Sequence, residues 1–125
     1  MVTRDGKPVV GLGSPGGDQQ DQWALGLILR HLVEGLNLQA AIDAPLFHSG
    51  HYVNSFAPRV FTPGVLHIED RVPQSVREEL ERRGHILNVQ PSWALGRLCA
   101  AGFTKDGMVR AAATPRFMQA YAVGR

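Results

Sequence analysis

The stretch that organises this chain is Gly13-Ser14-Pro15-Gly16-Gly17. Extended residues precede it (Lys7-Pro8-Val9-Val10-Gly11-Leu12), and a polar segment typical of a helix start follows it (Asp18-Gln19-Gln20-Asp21-Gln22-Trp23). Gly16 and Gly17 carry no Cβ, so a ligand can approach their backbone closely. Their N–H groups, next to those of a helix N-terminus, can face one negatively charged oxygen. We therefore expect this loop either to hold an anion or to stabilise an oxyanion during acyl transfer, with an ordinary glycine-rich turn as the alternative.

Two common glycine-loop motifs do not match this stretch. No Gly-Lys-Ser/Thr follows the glycines, which excludes a P-loop. Ser14 lacks the Gly-x-Ser-x-Gly frame of a nucleophile elbow, and Pro15 removes an N–H group that such an elbow uses.

Composition predicts a single domain over residues 1–125. The chain is 44% hydrophobic, which is enough for a core at this length, and carries a formal net charge of +2. The basic residues are scattered, which argues against nucleic acid as a partner. No apolar run approaches the length of a membrane span. The single cysteine, Cys99, excludes an internal disulfide, and its apolar neighbours predict a small buried side chain.

The local patterns predict a mixed α/β fold. Asp5-Gly6 indicates a hairpin turn, and Lys105-Asp106-Gly107 indicates a second one. Small residues around this second hairpin suggest strands that are covered on both faces, with a helix as the alternative because alanine favours helices. Together the patterns predict a hairpin at 2–12, a helix at 18–34, a short helix capped by Asn37, an irregular segment at 46–64, a strand at 65–69, a helix opening at Pro73, a strand at 85–89 and a hairpin with arms at 97–104 and 108–113.

Other candidate site residues are less specific. His48 and His51 could share a metal ion with Asp43 or Glu69, but no spacing fixes a third ligand, so we predict neither a metal site nor a cofactor. The polar cluster at residues 18–22 is explained most simply by helix capping and solvent, with bracing of the glycine loop as the alternative. Four arginines could bind a substrate carboxylate: Arg59, Arg97, Arg116 and Arg125.

Several motifs in series resemble the γ-glutamyltranspeptidase family. The Gly-Ser-Pro-Gly-Gly loop is the first, and the segment from Gly35 to Pro45 with His48 shortly after it is the second. Further matches follow in the same order: Leu66-His67-Ile68-Glu69, Leu80-Glu81-Arg82-Arg83-Gly84-His85, Lys105-Asp106-Gly107 and Ala111-Ala112-Ala113-Thr114-Pro115-Arg116. The resemblance covers nearly the whole chain. Residues 18–23 and 120–125 are similar to an acylase-like branch of the family.

The resemblance implies an αββα N-terminal-nucleophile hydrolase fold. In such enzymes the threonine freed by self-cleavage attacks a γ-glutamyl amide, and water or an amine then resolves the acyl-enzyme. It implies that the N–H groups of Gly16 and Gly17 are the oxyanion donors. Ser14 and Asp18, on either side of the two glycines, are candidate substrate-binding residues.

The resemblance also has departures. The family's nucleophilic threonine and the paired serines that hold the substrate lie upstream of the glycine loop, and Thr3 does not match that threonine. We therefore expect the chain to be the C-terminal part of a small subunit, inactive alone, whose partners are the rest of that subunit and the large subunit. We expect a γ-glutamyl or other acyl amide as the substrate, and self-association of the chain when it is alone. The alternatives are a stand-alone anion-binding module and a non-catalytic interaction protein.

Overall fold

The computed structural model describes residues 1–118 and 120–123. Short 3-10 turns lie at Gly17–Gln19 and Arg116–Met118, and a wider π-helical turn at Leu29–Val33 extends the first helix. The predicted mixed α/β class is confirmed. In chain order the elements are β1 (Val2–Arg4), β2 (Lys7–Gly13), α1 (Gln20–Ile28), α2 (Leu38–Asp43), β3 (Phe47–Ser49), β4 (Val65–Glu69), α3 (Gln74–Arg82), β5 (Ile86–Gln90), β6 (Cys99–Phe103) and β7 (Val109–Ala113).

The strands form two sheets. Sheet A has the order β1-β2-β6-β7 with every pair antiparallel, so both predicted hairpins are confirmed. Sheet B has the order β3-β4-β5, in which β3 and β4 are antiparallel and β4 and β5 are parallel. Helix α3 makes the crossover that a parallel pair requires. Strand β3 lies inside the segment predicted to be irregular, where its three residues were too few to show an alternating pattern.

The main core lies between sheet A and helices α1 and α2. Register pairs Val10 with Gly102 and Ala100 with Ala112, and these residues face inward. Their small size lets the helices approach the sheet closely. Helices α1 and α2, the residues after α2 and the segment before β6 supply the larger buried residues: Trp23, Leu27, Leu38, Ile42, Leu46, Leu95 and Leu98.

The other face of sheet A is made of small residues and is open. Gly11, Ala101 and Ala111 pair across three strands and point away from the core. Within the described residues, only the segment 121–123 lies against this face, forming a groove of about 450 Å³ with it. The prediction that these strands are covered on both faces is therefore wrong for the described part of the chain.

Cys99 lies on this open face, so the prediction that it is buried is wrong. Its thiol is exposed, while its neighbours Leu98 and Ala100 are buried. The reason is the two-residue period of a strand, which sends alternate side chains to opposite faces. An apolar run does not reveal which face each of its members takes.

The predicted helix boundaries are close to those observed. Asn37 caps α2 as predicted, because its Oδ1 accepts a hydrogen bond of 2.8 Å from the N–H of Ala40. On α3, Arg82 and Arg83 both pair with Glu79. None of the helices in the described residues is long and apolar enough to cross a membrane.

Candidate active site

The glycine loop joins β2 to the 3-10 turn that leads into α1. Gly16 has φ +139° and Gly17 has φ +70°, a region of backbone conformation that favours glycine. A Cβ on Gly16 would lie 2.5 Å from a ring carbon of Trp23, so the indole packs directly on the backbone of the loop. A Cβ on Gly17 would lie 3.2 Å from the ring of Phe56. These contacts leave no room for a side chain at Gly16 and little at Gly17.

Ser14 ties the loop to the segment before β6. Its side chain is almost fully buried. Its Oγ accepts a hydrogen bond of 3.0 Å from the N–H of Arg97 and donates one of 2.8 Å to the carbonyl of Pro15. Its observed partners are therefore backbone groups that fix the loop, and its role toward a substrate stays a prediction.

The N–H groups of Gly16 and Gly17 are the chemically important feature of the loop. In the part of the chain that the structure describes, no hydrogen bond uses either group as a donor. Two adjacent donors on a rigid turn at the start of a helix form an arrangement that suits an anionic oxygen.

The polar cluster after the loop acts as a brace. Asp18 accepts hydrogen bonds from the N–H of Ser55 at 2.6 Å and from its Oγ at 2.5 Å, and these bonds hold the pKa of Asp18 below its usual value. Gln22 holds the backbone of Ser49 through its amide, at 2.8 and 3.1 Å. The structure thus favours bracing over capping for these two side chains. The prediction that Asp18 binds substrate stays untested.

A cavity of about 170 Å³ opens beside Gly16. Three of the residues around it carry a buried polar atom without a hydrogen-bond partner in the described structure: Trp23 Nε1, His48 Nδ1 and Arg97 Nε. The other lining residues are mostly apolar or small: Pro15, Ala94, Leu95, Gly96 and Phe117.

His48 is the buried histidine of this site. It is 7% exposed, stacks on His67 with ring centroids 4.6 Å apart, and meets Trp23 edge-on. Burial, reinforced by His67, lowers the pKa of His48 to about 4, so the ring is neutral at pH 7. His51 is exposed, and its Nδ1 accepts from the N–H of Gly64. Within residues 1–118 and 120–123, no three histidine, cysteine or acidic side chains are grouped to hold a metal ion.

The four candidate arginines have different surroundings. Arg97 lines the cavity beside the loop, and Arg59 is exposed on the irregular segment. Arg116 is 1% exposed and pairs with Glu69, so the prediction that it is available to a substrate carboxylate is wrong. Arg125 lies outside the described residues.

The buried network of Glu69 was not foreseen from the sequence. Glu69 is fully buried and pairs with Arg71 and Arg116, so the suggestion that it could bind a metal ion is wrong. Its two oxygens also accept from the N–H groups of Leu46 and Leu95. The one available signal was an acidic residue at the end of a mostly apolar strand, and that signal does not indicate which residue pairs with it.

Comparisons with known proteins show which sequences this chain resembles. A family model described as gamma-glutamyltranspeptidase matches residues 1–124. The Acylase ACY 1 proenzyme of Pseudomonas sp. (strain V22) is 32% identical over 114 residues, covering 90% of this chain and 18% of the acylase. The glutathione hydrolase proenzyme of Bacillus subtilis (strain 168) is 34% identical over 91 residues, covering 73% of this chain and 14% of that protein.

Solved structures show the same fold. The structure of LmbA2991HD is 48% identical with a TM-score of 0.92, and the match covers 98% of this chain and 22% of that one. The cephalosporin acylase of Bacillus halodurans is 26% identical with a TM-score of 0.75, covering 91% of this chain and 20% of the acylase. This chain thus spans less than a quarter of the length of each of these four relatives.

Proposed function

Since this chain belongs to the gamma-glutamyltranspeptidase family, we propose that it is part of an enzyme that transfers or hydrolyses γ-glutamyl or related acyl amides. In this proposal the N–H groups of Gly16 and Gly17 stabilise the oxyanion that forms when a nucleophile attacks the amide carbonyl. The observation that carries it is the pair of adjacent glycine donors at positive φ, neither of them used by another hydrogen bond of the described structure.

The rigidity of the loop supports this role. Oxyanion donors are effective when they are held in place before the reaction, because no free energy is then spent on turning them toward the developing charge. Here Trp23 packs against Gly16, Ser14 bonds to the backbone of Arg97, and Asp18 bonds to Ser55. The donors are thus fixed from three directions.

The nucleophile is proposed to come from a segment outside residues 1–125. Thr3 is opposite Pro8 in sheet A, five positions before Gly13 on β2, which is about 16 Å along a strand. That separation is too large for its hydroxyl to attack a carbonyl held at Gly16. Relatives several times longer than this chain support a second segment that supplies the attacking group.

The open face of sheet A also supports the presence of a further segment of a longer enzyme. Its small residues would allow a second sheet to pack closely, as in the αββα sandwich implied by the family. We propose that the rest of the small subunit and the large subunit of a longer protein cover this face.

The first prediction concerns the chain alone. We expect the purified 125-residue chain to release no product from a γ-glutamyl anilide or a glutaryl amide, because in this proposal the nucleophile belongs to a segment outside residues 1–125. The measurement is anilide release over hours, with a commercial γ-glutamyltranspeptidase as positive control. Turnover by the chain that disappears in the Thr3→Ala variant would overturn the assignment of the nucleophile to another segment.

The second prediction tests the glycine donors. In the enzyme assembled with its nucleophile-bearing segment, we expect Gly17→Ala to lower kcat tenfold or more while KM changes little. The added Cβ strains the backbone and contacts Phe56, which turns the donor away from the oxyanion. Complete loss of one such donor costs roughly 100- to 1,000-fold in kcat.

Gly35→Ala is the matched control for this test. Gly35 has φ +79°, so alanine is strained there to a similar degree, but the site is open and lies at the end of the first helix. Its kcat should equal that of the unmodified enzyme. Equal activity of the Gly17 and Gly35 variants would instead remove the oxyanion role from the glycine loop.

A further inference from the structure

A second cavity, of about 400 Å³, lies near the end of strand β2 that is opposite the glycine loop. Pro8 lines it, and Pro8 comes five positions before Gly13, which corresponds to about 16 Å along a strand. The cavity is therefore separate from the candidate active site. Its positively charged lining residues come from three places in sheet A: Arg4 from β1, Lys105 from the turn before β7, and Arg110 from β7.

These three charges are not balanced by acidic side chains. Among the described residues, no aspartate or glutamate lines the cavity. None of the ion pairs in residues 1–118 and 120–123 involves Arg4, Lys105 or Arg110. Asp106, which follows Lys105 in the turn, accepts a hydrogen bond from the hydroxyl of Thr104. Like charges around one concave surface create a positive potential there, and that potential attracts an anion.

Arg110 is held in position and has one unpaired donor. Its Nη2 lies 2.8 Å from His31 Nε2, and His31 Nδ1 lies 2.7 Å from the carbonyl oxygen of Leu36. Because a carbonyl only accepts, Nδ1 carries the ring proton, and Nε2 accepts the hydrogen bond from Arg110. The Nε–H of Arg110 is buried and has no partner in the part of the chain that the structure describes. A buried donor left unpaired is costly, which favours a ligand that accepts from it.

The charges and the size of the cavity specify the ligand. Three separate cations suit a phosphate group better than a carboxylate, because a phosphate monoester carries a charge of about −1.5 to −2 and three acceptor oxygens at neutral pH. The planar guanidinium of arginine also matches the geometry of phosphate. A cavity of roughly 150 Å³ holds a benzene molecule, so about 400 Å³ leaves space for an organic group beside the phosphate. Pro8 and Leu32 provide apolar walls for that group.

We propose that this cavity binds the phosphate monoester of a small organic molecule, with Arg4, Lys105 and Arg110 binding the phosphate and the apolar walls contacting the organic group. His31 is a positioning residue, because it orients the guanidinium of Arg110 without contacting the ligand. The site lies away from the glycine loop, so it is a second binding site in addition to the proposed function and does not depend on it.

Phenyl phosphate is the probe for this site, in calorimetric titrations of the 125-residue chain at neutral pH. Benzenesulfonate carries a single negative charge, benzyl alcohol is neutral, and inorganic phosphate lacks the organic group. We expect phenyl phosphate to bind saturably, and added NaCl to weaken the binding because salt screens the attraction. Benzenesulfonate and inorganic phosphate should bind about tenfold more weakly, since each lacks part of the ligand. Benzyl alcohol should give no measurable heat of binding.

Variants that remove one charge separate this site from a general charge effect. Arg110→Gln should weaken the binding of phenyl phosphate by about tenfold or more. Lys7→Gln is the matched control, because Lys7 is exposed and pairs with Arg4 in the same hairpin but does not line the cavity. This control should leave the affinity unchanged. Arg110→Lys keeps the charge without the Nε–H and should give an intermediate affinity. It also serves if the glutamine variant does not fold, which circular dichroism reports.

Each outcome supports or overturns the assignment. Absence of phenyl phosphate binding overturns the site, as does an equal loss of affinity in Lys7→Gln and Arg110→Gln. Equal binding of benzenesulfonate overturns the choice of phosphate, and equal binding of inorganic phosphate overturns the organic group. None of these results affects the kcat comparison of Gly17→Ala with Gly35→Ala, which tests the proposed function separately.

Discussion

Glu69 and Arg116 form a fully buried ion pair at the centre of the molecule. Arg116 Nε lies 3.0 Å from Glu69 Oε1, and its other donors reach the carbonyls of Ile42 and Ala44. Burial alone would raise the pKa of Glu69, but the hydrogen bonds from Arg116 and Arg71 outweigh it, and the pKa lies below its usual value. Stability from this carboxylate is therefore present at neutral pH and lost as the pH falls through its lowered pKa.

This pair joins parts of the chain that are distant in sequence. Glu69 ends β4, Arg116 follows β7, and the carbonyls that Arg116 binds belong to the end of α2 and the residue after it. Breaking a buried pair leaves one charge uncompensated, which is more costly than the net contribution of the pair itself. The pair therefore specifies how β4, α2 and the segment after β7 meet.

His48 also makes the stability of the chain depend on pH, in a pH range different from that of Glu69. Its pKa is about 4 in the folded chain and about 6.5 when unfolded. Between these values the unfolded chain binds more protons, so the free energy of unfolding falls as the pH drops from 6.5 to 4. The stabilisation is fully present above pH 6.5.

The third prediction follows from this window. Between pH 7.5 and pH 5 we expect His48 to account for a loss of about 2 kcal/mol in the free energy of unfolding. His48→Phe keeps an aromatic ring against His67 and Trp23 and should remove that loss. Urea unfolding at both pH values measures it, with His85→Gln, at an exposed position, as the control. An unchanged pH dependence in the phenylalanine variant would contradict the lowered pKa.

At the scale of elements, the 3-10 turn at Gly17–Gln19 and the first turn of α1 act together as a connector. The side chains of Asp18 and Gln22 bond outward, to Ser55 and to the backbone of Ser49. The glycine loop, β3 and the irregular segment after it are therefore joined through one helix start. The irregular segment lies over the loop because Asp18 and Phe56 hold it there.

Helix α2 depends on its cap because it is short. It runs only from Leu38 to Asp43, and six residues give little helical stability of their own. The fourth prediction is that Asn37→Ala destabilises the chain by about 1 kcal/mol, since the N–H of Ala40 loses its acceptor. Asn37→Asp retains the acceptor and should be within experimental error of the unmodified chain. Equal unfolding midpoints for the alanine and aspartate variants would rule out a stabilising cap.

At the scale of the whole molecule, sheet A presents two different faces. The inner face packs on α1 and α2, whereas the outer one exposes Ala101, Ala111 and Cys99. Larger apolar side chains extend this surface, since Phe103 is 45% exposed and Val109 is 75% exposed. A continuous apolar face of this kind indicates an interaction surface.

The fifth prediction is that the isolated chain self-associates through this face. Sedimentation velocity over a range of concentrations should show a mass above 13.6 kDa that rises with concentration. Ala101→Glu places a charge at the centre of the face and should shift the equilibrium toward monomer. Ser75→Glu adds the same charge on exposed α3 and should not. A monomeric profile at the highest concentration would argue against this surface.

The sequence by itself determined the local elements and the position of the loop. Turn signals such as Asp5-Gly6 and the cap at Asn37 act over a few residues, so they can be recognised without knowing the fold. The motifs in series also indicated the family before any geometry was known. Gly16 and Gly17 could also be proposed as oxyanion donors from the sequence, because the conformational freedom of glycine is a property of the residue type itself.

Only the tertiary structure decided which distant side chains meet. The partners of Arg116, Asp18 and Arg97, the burial of His48 and the exposure of Cys99 depend on register and packing between segments far apart in the chain. A strand shifted by one residue would exchange its buried and exposed faces without changing any local pattern. For this reason the apolar neighbours of Cys99 predicted that its side chain is buried, whereas the pairing of its strand with β2 and β7 places it on the open face of sheet A.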